Sequence, residues 1–492
     1  MNKKRIICAI LLFSMLAATA CGGETTANDE TTTSSVTTDE VTTEASEYSK
    51  PSVRYDGQTV TIASYSYSSG QVINSYNILL DEENGDFIND AIVERNRRVE
   101  EELGVKLELY ALTGDDRGNT NRLQQSILAG DDEFDFALTM NAGLATMLTT
   151  DGMLVDLNSV KTLDLTHSWW NQHANYEYTL YGKQLTAVGD ICFFNIAAPI
   201  VNYFSKELVE RYKLDDPYKL VYDGKWTVDV MKKMATEVAS DLNGNQKVDD
   251  ADQFGLAGET DSLGYFLMGA GVRLSEHEKN GEIKATLNSE RTITLIEKLV
   301  PFFCDDSLVR FLNRTEKTYT SVFTEYFEPK LGLNEILFYS NQLLVALNLR
   351  ANEADFGVLP LAKYDESQED YISFANTWWS DHLVIPATNT NLDRTGHVIE
   401  TMGYYAQQLI VPAFIDTTVL GKSVRDEDSA NMIKLIRETQ TFDIAYIFNW
   451  GGIRSIFTTL MYSKSTDFAS KYAGIENSIA DALAKTEEQL KG

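Results

Sequence analysis

Phe87-Ile-Asn-Asp-Ala-Ile-Val-Glu-Arg-Asn-Arg-Arg-Val-Glu-Glu-Glu-Leu103-Gly-Val-Lys-Leu-Glu-Leu109 carries two different periodicities on either side of one glycine. Up to Leu103, the apolar residues Ile88, Ile92, Val99 and Leu103 fall on one face of a helix. Gly104 reads as the stop. Val105, Leu107 and Leu109 then alternate with Lys106 and Glu108, as a strand with one buried face does. Upstream, Val60-Thr-Ile62-Ala reads as a short strand. Downstream, a helix around Asn121 to Leu128 leads to a third strand, Phe134-Asp-Phe-Ala-Leu-Thr-Met140. Strands alternating with helices predict an α/β fold with a largely parallel sheet. Further strands are expected at Gln184 to Ala187, Phe356 to Leu359 and Leu383 to Pro386. Helices are expected to dominate between Lys206 and Ala354 and again from Gly396 to the end.

The whole chain of 492 residues, 43% of them hydrophobic, is an ordinary globular composition. At about 150 residues per domain its length suits two or three domains. Lys and Arg number 42 against 73 Asp and Glu, a formal net charge of −31. A surface so acidic repels nucleic acid and anionic bilayers, which excludes both as surface partners. The four cysteines form no CxxC pair, so neither a disulfide scaffold nor a zinc ribbon is indicated. The chain has no GxSxG elbow, HExxH, GxxxxGK[ST] or GxGxxG. Its five histidines are scattered without metal-ligand spacing. Nothing in it points to an enzyme.

The N-terminus has its own logic. Lys3, Lys4 and Arg5 precede an apolar run from Ile6 to Leu16, then Ala18-Thr-Ala-Cys21-Gly22. A positive region, an apolar stretch too short to span a membrane and small residues describe a secretory signal over residues 1–20. The cysteine resembles that of the bacterial lipobox, although Ala18 stands where Leu is commoner; it makes Cys21 the expected lipidation site. Residues 21–50 are mainly Thr, Ser, Glu and Asp and cannot bury a core, so they read as a disordered tether. Random-coil scaling gives such a tether a reach of about 30 Å. The expected location is the outer face of the cell membrane, with membrane attachment through the lipid alone.

Several local patterns carry chemistry. Asp241-Leu-Asn243-Gly-Asn245-Gln-Lys247-Val-Asp249-Asp-Ala-Asp252 spaces oxygen donors as an EF-hand-type calcium loop does, with the Lys247 backbone carbonyl as one ligand. It looks most like a dockerin-type loop, except that Gln246 occupies the position where Gly supplies the sharp turn. Calcium here would be structural; the bland alternative is a solvated acidic turn. Trp169-Trp170 and Trp378-Trp379 are tandem aromatics. The first pair reads as core, since Trp fills cores by its area. The second, between Asn376 and Ser380-Asp381-His382 and ahead of a strand, reads as a ligand platform in a polar cleft. Tyr65 and Tyr67 follow the first strand and Asn141 follows the third, where α/β sheets bind ligands. Trp450, in Asn449-Trp-Gly-Gly452 near Arg454, interrupts a helical region and is a further candidate contact; its alternative is a packed Trp beside a helix cap. Cys192 and Cys304 either form a bridge or remain buried free thiols.

The ordered series Phe134-Asp-Phe136, Gly152-Met-Leu-Val-Asp-Leu157, Leu165-Thr-His-Ser-Trp-Trp170, Tyr181-Gly-Lys183 through Gly189-Asp190, Gly224-Lys-Trp-Thr227, Phe254-Gly255, Phe356-Gly-Val-Leu-Pro360 and Arg425-Asp-Glu-Asp-Ser429 follows the lipobox. In that order they resemble bacterial extracellular solute-binding proteins of family 1, the carbohydrate receptors of ABC importers. The resemblance implies a two-lobe periplasmic-binding-protein-like α/β fold of class II type, with hinge strands and an interlobe cleft. It implies one lobe of residues 51–190 and 361–410, another of 191–360 and 411–492, and crossings near Asp190–Ala198, Gly357–Leu361 and Gln408–Pro412. Asp190, at the first crossing, joins the expected ligand contacts. The implied partners are a carbohydrate and the membrane subunits of a permease, with the receptor a monomer. Alternatives are the same fold holding a peptide, polyamine or nucleotide precursor, or an exported carbohydrate-active enzyme or adhesin.

Overall fold

The computed structural model describes residues 47–491 apart from 66–75, 113–115, 279–280, 314–317, 352–354, 379 and 420–426. Cys21, Tyr67 and Trp379 therefore lie outside the described residues. Among those described, no helix is long and apolar enough to cross a membrane.

The quoted stretch folds as its pattern dictates. The helix runs Phe87–Leu103, and Asp86 caps its first turn by accepting from the Ile88 and Asn89 amides. It ends at Gly104 in the left-handed conformation (φ 65°), which glycine adopts without steric cost. Ile88, Ile92, Val99 and Leu103 are all buried. Strands β1 (Gln58–Tyr65) and β2 (Val105–Leu112) flank that helix in sequence and pair parallel. The helix expected near Asn121 spans Asp116–Ala129 and precedes β3 (Phe136–Thr139).

Two sheets divide the strands. Beyond β3 come β4 (Ile200–Ser205), β5 (Phe254–Glu259), β6 (Val309–Leu312), β7 (Ile336–Gln342), β8 (Phe356–Leu359) and β9 (His382–Val384). The first sheet has the order β9-β3-β1-β2 and the second β6-β5-β7-β4-β8. The first is largely parallel, as expected, while the second has as many antiparallel pairings as parallel ones, which corrects the sequence reading there. β9 is antiparallel to β3, and β4 is antiparallel to β7 and β8. β4 and β9 are the strands laid down just after the chain passes between lobes.

Helices dominate Lys206 to Ala354 as expected, but the second sheet adds strands the sequence reading did not place there. β5, β6 and β7 lie inside that stretch, and β4, just ahead of it, is buried along its whole length. Strands buried on both faces show no alternation, so the sequence pattern passed over them.

Three segments lie side by side at the junction. Pro199 bridges Ala375, the Asn376 amide donates to the Ala198 carbonyl, and Ser373–Phe374 pairs with Gln440–Thr441. Two of the expected crossings fall within regular packing. Residues just beyond Leu361 still pack with the second sheet, because Lys363 exchanges backbone hydrogen bonds with Trp226 and Val228. Gln408–Pro412 lies inside the helix Leu392–Val419, which runs unbroken past residue 410.

Candidate functional site

The site is built on the turn after β3. Gly143 has φ 82°, and a Cβ there would stand 2.6 Å from the Thr120 methyl, so only glycine fits. That turn brings Asn141 to the junction. Its carboxamide nitrogen donates to the Thr377 hydroxyl at 3.1 Å and to the Tyr446 carbonyl at 3.0 Å. Thr377 belongs to the second crossing. Tyr446 sits on the helix Ala445–Phe448 of the other lobe.

Trp378 follows Thr377. Its amide donates to the Asn376 side-chain oxygen at 3.0 Å, and Ser380 Oγ donates to the Asn376 carbonyl, which fixes a tight turn before β9. Trp378 remains 37% exposed, whereas Trp169, Trp170, Trp226 and Trp450 are all buried. The Arg454 guanidinium lies over the Trp378 ring, 5.0 Å from its centroid. Arg454 also donates through Nη1 to the Tyr446 carbonyl at 2.6 Å, and its backbone amide donates to Asn449 Oδ1 at 3.0 Å. Beneath them, the Tyr446 ring packs 4.5 Å from Phe374, which stacks with Tyr265 at 5.9 Å. The buried Tyr446 hydroxyl has no partner among the described residues. Burial is the main force lowering the Arg454 pKa from its ordinary value. An exposed aromatic face beside a guanidinium suits a ligand with C–H faces and polar oxygens.

The remaining candidates fall elsewhere. Tyr65 closes β1 and is buried. Asp190 lies in a separate pocket of about 240 Å³ with Trp169, Trp170, Asn171, Asn195, Arg437 and Gln440. Its two carboxylate oxygens take Arg437 Nη2 at 2.9 and 3.0 Å, and Asn171 donates to Gln440 at 3.3 Å. The Asp190 carboxylate and the Arg437 guanidinium satisfy each other, so a ligand binding them would have to break that pair, although the Trp169 indole nitrogen there has no partner among the described residues. The Trp378 side asks for no such exchange.

Trp450 is corrected from contact to core. It is 2% exposed, its indole N–H donates to Thr486 of the C-terminal helix at 2.9 Å, and it stacks on Phe448 at 5.0 Å. The break in helical pattern marked a helix end, at left-handed Asn449 (φ 46°), rather than an opening to ligand. Trp169 and Trp170 are core, as the sequence reading has them, although their edges reach the Asp190 pocket. Cys192 and Cys304 are free; Cys192 is buried with its Sγ 2.6 Å from Asp381. The sequence reading missed Thr377 and Tyr446, which carry no motif, and named Arg454 only as a neighbour of Trp450.

The Asp241–Asp252 loop closes on itself. Asp241 accepts from the Gly244 and Gln246 amides, both at 2.7 Å, and Gln246 takes the left-handed conformation (φ 60°) where glycine is usual. Asn243 and Asn245 turn their amide nitrogens toward Asp249, and Asp252 accepts from the Asp249 amide. Among the described residues, no three His, Cys, Asp or Glu side chains gather to hold a metal ion.

Solved structures share this architecture. An ABC substrate-binding protein from Listeria monocytogenes, in complex with cycloalternan, aligns over 89% of this chain and 100% of its own at 12% identity, with a TM-score of 0.53. The GacH receptor of Streptomyces glaucescens, solved unliganded and with acarbose, aligns over 88% and 99% at 14% identity and a TM-score of 0.53. The maltose/maltodextrin-binding domain MalE from Bdellovibrio bacteriovorus, bound to maltotriose, aligns over 88% and 100% at 13% identity and a TM-score of 0.51. No protein-family model and no curated protein matches the sequence. The likeness establishes the fold, the two-lobe α/β architecture of ABC substrate-binding proteins.

Proposed function

We propose that this protein is an extracellular substrate-binding protein of an ABC importer, anchored by lipid at Cys21, which captures an oligosaccharide between its lobes and hands it to a permease. The observation that carries the reading is Trp378, a large aromatic left 37% exposed at the lobe junction. It stands beside Asn141 and Arg454 in a fold whose solved neighbours hold cycloalternan, acarbose and maltotriose. An exposed ring offers a sugar its apolar face, and exposing so large a side chain costs the folded protein the burial it gives up.

Function follows from a population shift. Open and closed forms differ by a few kcal/mol, and a ligand that touches both lobes favours the closed form by its differential affinity. Asn141, Tyr446 and Trp378 come from the first lobe, the second lobe and the crossing, so a ligand on the exposed Trp378 ring acts where bonds already join the lobes. No bond is made or broken in this cycle. The same reading gives the Asp241–Asp252 loop a structural calcium ion. Its support is the spacing of oxygen donors and the turn at Gln246; turning over the Asn243 and Asn245 carboxamides would present oxygen in place of nitrogen.

Calorimetric titration with neutral and acidic oligosaccharides, peptides and polyamines tests the reading, together with scattering for ligand-induced compaction. Saccharide binding with compaction and no cleavage is the expected result. Binding of peptides or polyamines alone, or cleavage of the saccharide, overturns it.

A further inference from the structure

We propose that the cargo is an acidic saccharide whose anionic oxygens are received by the edge of Arg454 while a sugar ring lies against Trp378. This rests on the saccharide reading above and adds the charge of the ligand.

Several arginines of this chain pair with carboxylates. With 73 acidic residues against 42 basic ones, carboxylates are plentiful. Arg310 pairs with Asp250 at 2.8 Å and Arg437 with Asp190 at 2.9 Å; Arg273 pairs with Glu177, and Arg394 with Asp135 at 2.5 Å. Arg54, Arg95, Arg122 and Arg291 form no ion pair among the described residues, and Arg454 is another, the one that lies over the exposed Trp378. Among the described residues its only side-chain acceptor is the Tyr446 carbonyl. Asp261 acts on it through space without bonding it. A guanidinium taken partly out of water, in a protein rich in carboxylates, is left without one at the lobe junction.

Its posture fits reception of an oxyanion. The guanidinium carbon lies over the Trp378 ring, 5.0 Å from its centroid, a contact that uses none of its N–H donors. Nη1 is committed to the Tyr446 carbonyl, while Nε and Nη2 donate to no described residue. Two adjacent donors in one plane match a carboxylate or sulfate in the fork-to-fork manner, which lysine cannot reproduce. Arg454 also opens the helix Ser455–Ser463 with no side-chain cap on its first turn. The positive end of that helix adds to the same preference. The overall negative charge does not decide the matter inside the site. At physiological ionic strength exposed charges are screened beyond about 8 Å, so the near arginine outweighs distant carboxylates.

The chemistry that fits is a uronate-containing or sulfated oligosaccharide, and the test separates these. Trigalacturonate, its methyl ester, a sulfated disaccharide and maltotriose are titrated into the purified protein and into Arg454→Gln and Arg454→Lys. The expected result is binding of trigalacturonate or the sulfated disaccharide at least tenfold tighter than the methyl ester and maltotriose. Arg454→Gln should erase that preference and Arg454→Lys should retain part of it. Ligand-free melts of both variants establish that they fold; should Arg454→Gln fail to, the trigalacturonate-to-ester ratio of the unaltered protein still decides. Equal or tighter binding of the uncharged probes overturns the inference and leaves the saccharide reading standing. Acidic preference that survives in folded Arg454→Gln also overturns it. Binding of no saccharide at all, with peptides or polyamines bound instead, removes the saccharide reading and this inference together.

Discussion

Asn141 of the first lobe donates to the Tyr446 carbonyl of the second at 3.0 Å, and the same nitrogen donates to Thr377 on the crossing between them. One side chain thus ties three parts of the chain that a hinge motion would separate. Arg454 also donates to that carbonyl, so losing Asn141 leaves it satisfied. Asn141→Ala should therefore cost only about 1 kcal/mol of stability while shifting the unliganded protein toward an open form. Small-angle scattering should show a larger radius of gyration without ligand and the original one with it. An unchanged radius in both states would mean that this bond does not hold the lobes.

Trp378 and Trp450 should respond oppositely to truncation. Trp378→Ala removes a ring already 37% exposed, so the fold should lose no more than about 2 kcal/mol. Ligand affinity should drop at least tenfold, about 1.4 kcal/mol. Trp450→Ala empties a site closed by Phe448 and Thr486 and should cost about 3 to 5 kcal/mol of stability. Melts and titrations of the two variants check this. Equal affinity for Trp378→Ala would withdraw it from the site.

The difference between those two tryptophans also marks how far the sequence could be read. The helix Phe87–Leu103 and the strands around it were legible because each buries one face, and one-faced burial leaves a period. β4, β5 and β7 bury both faces and leave none, and with β6 also unplaced only β8 of the second sheet's five strands was expected. At the junction, Trp378 stood out because Asn376, Ser380 and Asp381 surround it with polarity. Trp450 stood out for a similar reason, yet its Asn-Gly neighbours terminate a helix and line nothing. Tyr446 and Thr377 gave no sign, since what makes them part of the site is a pairing with Asn141 some 236 to 305 residues away in the chain. Arg454 is set apart by its place over the exposed Trp378 ring, which only the folded chain reveals.

His382 makes the fold sensitive to acid. It is fully buried at the start of β9, its Nε2 is 3.3 Å from the Tyr178 hydroxyl, and burial lowers its pKa to about 4. In the unfolded chain the imidazole titrates near 6.5. The folded state therefore holds fewer protons between these values, and its stability is full above about pH 6.5 and falls as pH drops toward 4. The loss amounts to about 3 kcal/mol. A His382→Gln variant should show a flatter dependence of Tm on pH over that interval. An identical slope would place the acid sensitivity on other groups, of which His173, lowered to about 3 by burial, is the next in line.

A calcium ion in the Asp241–Asp252 loop predicts a metal-dependent melt. The loop is on the surface, and its hydrogen bonds already close the turn through both Asp241 oxygens. Calcium would replace these amide contacts only in part, since in such loops the first aspartate both binds metal and accepts from the turn. Tm should rise by several degrees on adding calcium after chelation, as mass action requires for an ion that binds the folded chain. Asp241→Ala should remove the rise and also lower the metal-free melt, because the Gly244 and Gln246 amides lose their acceptor. Magnesium demands near-ideal octahedral geometry and should reproduce little of the effect. The two parts of the Asp241→Ala result separate the causes. A lower metal-free melt with no calcium response in either protein would make Asp241 a turn-former alone, and the left-handed Gln246 a feature of that turn.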